Sequence, residues 1–94
     1  MLKIWGKLII DNRIVKDEVS VSGAYDSYQE NLKACITDLC YKFDIETPYW
    51  LKSNINEYNK RHKTSFDENN FIEEVYFDRF MIEELKANEG DVSK

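Results

Sequence analysis

The chain has 94 residues, 43% hydrophobic and 33% charged, with three glycines and one proline. That is one domain's length with enough apolar residues for a core, which excludes a disordered segment and a dependence on metal or disulfide. A net charge of −5 repels phosphate and anionic lipid, so nucleic-acid binding and membrane docking are disfavoured.

Residues 2–10 alternate as a strand and residues 13–22 as a second one, joined by Asp11-Asn12, a pair that tolerates positive φ. A two-residue turn sets the register: Ile10 faces Arg13, Leu8 faces Val15, Ile4 faces Val19 and Leu2 faces Val21. One face then gathers Leu2, Ile4, Leu8, Val15, Val19 and Val21. Gly6 falls opposite Asp17, where a bulge fits. The lysines that interrupt this apolar N-terminus, Lys3 and Lys7, argue against a signal peptide or a spanning helix.

Ser27 and Glu30 form a capping box that opens a helix running to about Phe43. Tyr28, Leu32, Cys35, Ile36, Leu39, Cys40 and Phe43 form a broad stripe at helical spacing, expected to lie on the hairpin's apolar face. Cys35 and Cys40 point about 140° apart around the axis, so they do not pair with each other. Free cysteines packed as apolar filler fit a reducing cytoplasm.

Pro48 keeps Thr47 out of helical geometry. A shorter helix is expected to start at Pro48 with a Thr47 cap or later with a Ser53 cap. Leu51, Ile55, Tyr58 and His62 share its inner face, and it stops near Lys63. Residues 64–75 read as a loop with room for a helical turn, Phe71 and Ile72 plugging the core edge. Alternation returns between Val75 and Leu85, which reads as a third strand. A helix is its rival, because Glu83, Glu84, Leu85, Lys86 and Ala87 are helix formers. The expected fold is α+β in the order ββααβ: a small antiparallel three-stranded sheet, the third strand beside the first, packed by one long and one short helix. Residues 1–86 make the domain, and 87–94 read as a frayed polar tail.

His62 is the lone histidine. It sits where it meets the carbonyl end of a helix dipole, with no serine or cysteine placed beside it as a nucleophile. The pairs Asp17-Glu18, Glu73-Glu74 and Glu83-Glu84 do not converge, since neighbours in a strand point to opposite faces. No phosphate loop, dinucleotide fingerprint or metal-ligand spacing is present, so neither a cofactor nor a metal nor a catalytic residue is assigned. Lys52, Lys60, Arg61 and Lys63 with Tyr58 and Phe66 form a basic, aromatic stretch. The acidic residues that follow, Asp67 to Asp78, offset it.

Two surfaces stand out. The register that buries Leu2, Ile4 and Leu8 puts Trp5, Ile9 and Ile14 on the opposite side, with Phe77, Met81 and Leu85 joining them if the third strand lies alongside. Left uncovered by the second helix or the 64–75 loop, that face is a candidate interaction surface. Trp50, Tyr58 and His62 mark a candidate cleft.

Several landmarks recur together: Ile4-Trp5-Gly6-Lys7, Asp11-Asn12-Arg13-Ile14, Cys40 with Phe43-Asp44-Ile45, Pro48-Tyr49-Trp50-Leu51, His62-Lys63-Thr64-Ser65-Phe66 and Phe71 through Asp78. In their order, up to about Ile82, the chain resembles a family of small uncharacterised proteins from clostridia-like Firmicutes. Ser65 stands where that family is expected to carry arginine, and the tail after Ile82 departs from it. The resemblance implies a bacterial cytoplasmic setting and a compact α+β fold, and supplies no site residue. The expected function is a non-enzymatic protein-interaction or regulatory domain of a bacterium or its mobile elements. It would act on an unknown protein partner or as a homodimer through the Trp5 face. The alternative is a small ligand-binding domain or enzyme using the Trp50 cleft.

Overall fold

Strands β1 (Leu2–Ile10) and β2 (Arg13–Ser22) form the expected hairpin. Asp11 and Asn12 close it at φ 53° and 64°, the left-handed geometry that short polar side chains accept. In the computed structural model, which describes residues 1–85, the remaining elements are α1 (Tyr28–Phe43), α2 (Lys52–Arg61), β3 (Lys63–Phe66) and β4 (Arg79–Leu85). The 87–94 tail lies outside the described residues. The fold is α+β with two helices and an antiparallel sheet of four strands, ordered β2-β1-β4-β3.

The hairpin register departs from expectation after two pairs. Ile10 faces Arg13 and Ile9 faces Ile14, but Leu8 then faces Lys16. Val15 is the extra residue of a bulge, and it moves every later β2 side chain to the other face. Ser20 and Ser22 therefore turn toward α1, where the Ser20 hydroxyl donates to Asp38 (2.7 Å) and the Ser22 hydroxyl to Asn31 (2.8 Å). Val15, Val19 and Val21 do not join Leu2, Ile4 and Leu8 in the core; they face outward. The bulge sits at Val15 and not opposite Gly6, and Gly6 has another use. A Cβ built there would lie 2.9 Å from Leu39 Cδ1 and 3.2 Å from Phe80 Cε1. Its absence lets α1 settle closely onto β1.

The α1 cap is the expected one: Ser27 Oγ accepts from the Glu30 amide (3.0 Å). The helix ends where Asp44 turns left-handed, and the Ile45 amide donates to the Cys40 carbonyl (3.0 Å). Cys35, Ile36, Leu39, Cys40 and Phe43 are buried, and with Ile4, Leu8, Phe66, Phe80 and Ile82 they make the core against β1 and β4.

Three expectations beyond α1 are corrected. Helix α2 starts at Lys52, with Leu51 in the capping position, and its inner residues are Asn54 and Tyr58. Leu51, Ile55 and His62 are exposed. The first half of the 64–75 loop contains strand β3, so the sheet gains a fourth member and the order becomes ββααββ. Of the two residues expected to plug the core edge, Phe71 is buried and Ile72 is 73% exposed. The strand reading of β4 prevails over the helical one. Phe80 and Ile82 both enter the core at period two, and burying them outweighs the helix propensity of Glu83 and Glu84. No helix among the described residues is long and apolar enough to cross a membrane.

Gly6→Val is expected to push α1 off β1 and lower stability by about 2 kcal/mol, read as a shift in the urea midpoint with unchanged slope. Ile36→Asp, which places an unpaired carboxylate in the core, is expected to abolish the cooperative transition altogether.

Candidate functional site

The chain from Tyr49 to Asn70 is tied by two buried asparagines. Asn54 Oδ1 accepts from the Leu51 amide (3.1 Å) and from Asn70 Nδ2 (2.8 Å). Asn54 Nδ2 donates to Thr64 Oγ1 (2.9 Å) and the Ser65 carbonyl (2.8 Å), so the amide uses its full capacity. Asn70 Nδ2 also donates to the Tyr49 carbonyl (2.7 Å), and the Tyr49 amide donates back to Asn70 (2.7 Å). Thr64 Oγ1 donates in turn to Glu57 (2.7 Å). This network fixes α2 against β3 and the 3₁₀ turn at Glu68–Asn70 through polar contacts, with few apolar ones. That is why so polar a helix has a defined place.

Held this way, α2 stands apart from the N-terminal half of α1, and a cleft of about 430 Å³ lies between them. Leu32 and Ile36 of α1 form one wall, and Ile55 and Tyr58 of α2 the other. Trp50 and Thr47 come from the connection, and Gln29, Lys33 and Asn59 stand at the rim. Trp50 is set edge-on to Tyr58 (5.6 Å between ring centres) and to Phe66 (5.2 Å), which gives the indole a fixed pose.

At one side of the cleft Tyr28 Oη donates to Glu84 (2.6 Å) and shares a hydrogen bond with Tyr58 Oη (2.9 Å). With the Tyr28 proton committed to the carboxylate, Tyr58 is the donor in that second bond. Burial pushes the Tyr58 phenol up to about 12. Burial, and then the Glu84 hydrogen bond, hold Tyr28 well above the usual tyrosine value. Neither phenol is an acid or base near neutrality.

Of the three sequence-derived cleft residues, Trp50 and Tyr58 line the hollow. His62 lies beside Tyr58, with ring centres 5.9 Å apart, and does not line it. The sequence reading missed Tyr28, Leu32, Lys33 and Ile36 as cleft residues. Their signal was present: the α1 stripe spans a wider arc than one sheet can cover.

The candidate interaction residues have unlike settings. Trp5 is half-buried. Its Nε1 donates to Asp17 (2.9 Å), and the Lys7 ammonium sits 3.8 Å over its ring while pairing with Glu83 (3.5 Å). Ile9 is buried and Ile14 exposed. Met81 and Leu85 share their face, but Phe77 precedes β4 and packs in the core against Phe71. The apolar exposure on this side runs along β2, with Ile14, Val15, Val19 and Val21 between 43% and 53% exposed. Neither α2 nor the 64–75 segment covers it.

The basic stretch is divided. Lys60 and Arg61 flank a shallow hollow with Glu57, and Lys63 pairs in register with Glu83. Burial raises both cysteine thiols, Cys40 to about 12, which makes them unreactive as thiolates. Among the described residues no cluster of His, Cys, Asp or Glu is grouped to hold a metal ion. Comparison with protein-family models, curated proteins and solved structures finds no match.

Asn54→Ala is expected to leave Asn70 and the Ser65 carbonyl short of partners and cost about 2–3 kcal/mol, measured by chemical denaturation. The raised Tyr58 sets an alkaline limit. Its contribution is fully present below the unfolded tyrosine value near 10 and lost as pH rises through about 12, because the unfolded chain releases the proton first. The Tyr58 phenolate signal, isolated as the difference between wild type and Tyr58→Phe, should therefore appear together with loss of the native far-ultraviolet spectrum. Free titration of Tyr58 near 10 in the folded protein would refute this.

Proposed function

We propose that this chain is a non-enzymatic binding domain, of the interaction or regulatory kind, and that its binding site is the cleft between α1 and α2. The observation that carries this reading is the apolar lining. Leu32, Ile36, Trp50 and Ile55 surround a hollow whose volume falls in the range of ligand sites, roughly 300–1,000 Å³. Apolar walls left facing water are covered favourably by any apolar group that fits. The two phenols held protonated, and the absence of a nucleophile beside them, favour binding over catalysis.

Amide shifts of the intact chain titrated with indole test the reading. Shifts are expected in residues 28–36 and 47–59, and to fade in Ile55→Lys, whose wild-type side chain is exposed. Shifts confined to β2 would transfer the site to the sheet.

A second reading keeps the association surface on the sheet, because the β2 aliphatics are uncovered there. A protein partner or a second copy would cover Val19 and Val21 beside Trp5. Light scattering then shows a dimer in wild type that Val19→Lys dissociates. A monomer at millimolar concentration removes the homodimer version.

A further inference from the structure

Resting on the cleft reading, we infer that the occupant of the α1–α2 cleft is an amphipathic anion: an aliphatic chain that ends in a carboxylate. Its chain would lie against Leu32, Ile36 and Ile55 with Trp50 at the side, and its charge would sit at the mouth beside Lys33.

Charge placement supports this. The protein carries a net charge of −5, yet the single charged side chain lining the cleft is Lys33. Lys33 is exposed and belongs to neither of the two ion pairs found among the described residues, Lys7–Glu83 and Lys42–Asp38. Glu30, one helical turn before Lys33, is engaged by the Ser27 hydroxyl (3.3 Å) and does not line the cleft. Glu84 likewise does not line the cleft and is engaged by Tyr28.

The tyrosine side excludes the opposite assignment of the head group. Tyr28 has spent its proton on Glu84 and Tyr58 its own on Tyr28, so they offer an anion no donor. The carboxylate of a ligand is thereby directed to the Lys33 mouth. An uncharged alcohol of equal chain length keeps the wall contacts and loses the charge, and an alkyl ammonium meets Lys33 as a like charge. The cleft therefore ranks the three head groups in a fixed order.

Calorimetry on the intact chain with decanoate, decanol and decyltrimethylammonium, each below its micelle concentration, tests the ranking, and amide shifts locate the site. Decanoate is expected to bind tightest and the ammonium weakest. Lys33→Glu should weaken decanoate by about tenfold and leave decanol unchanged. Ile55→Ser should weaken both, and since Lys33 and Ile55 are exposed, neither variant threatens folding. Equal affinity for decanoate and decanol, or indifference of decanoate to Lys33→Glu, overturns the anion assignment while leaving an apolar cleft. Failure of all three probes to shift residues 28–36 and 47–59 overturns the cleft reading with it.

Discussion

The close approach of α1 to β1 at Gly6 governs the remainder of the structure. Leu39 occupies the space a side chain at position 6 would need, with Phe80 closing the other side. The helix thus lies across the hairpin, over β1 and β2, with Leu39 pressed on Gly6 beside Phe80 of β4. Two consequences follow. The β2 strand meets α1 through Ser20 and Ser22, whose hydroxyls bond Asp38 and Asn31 of the helix. The flank of the α1 stripe formed by Tyr28, Leu32 and Ile36 faces α2 across the cleft. A single glycine thereby helps set both the shape of the core and the existence of a second apolar surface.

That second surface is kept open by the way α2 is anchored. A helix held by leucines would collapse toward the nearest apolar neighbour. Asn54 and Asn70 instead hold α2 by directional bonds to Thr64, Ser65, Leu51 and Tyr49. Such bonds set distance and angle as well as affinity. The tyrosine pair with Glu84 spans the remaining gap on one side, and the mouth between Lys33 and Asn59 stays accessible.

Local chemistry in the sequence revealed much of this. The Asp11-Asn12 turn, the Ser27 cap and the α1 stripe were readable because each depends on residues close in the chain. The bulge was not, because Val15 in or out of the ladder is decided by whether serines or valines lie under α1, a tertiary question. Strand β3 was hidden for a related reason: four residues ending in Phe66 carry too short an alternation to register, and they become a strand only by pairing with β4. Trp50 and Tyr58 could be named as cleft residues from their size and helical phase. The far wall on α1 could not, because the stripe was assigned whole to the sheet. His62 was misplaced because α2 ends at Arg61 and the residue after it turns left-handed, which takes it out of the helical phase.

The bulge at Val15 has a bearing on how the chain survives at high concentration. A ten-residue strand at the margin of a sheet is a ready template for other chains to extend. Here the ladder is broken one third of the way along, and Lys16, Asp17 and Glu18 follow directly, so an incoming strand meets a kink and then three charged residues in a row. The valines beyond can be covered flatwise by a folded neighbour, while addition of a further strand along the β2 edge is disfavoured.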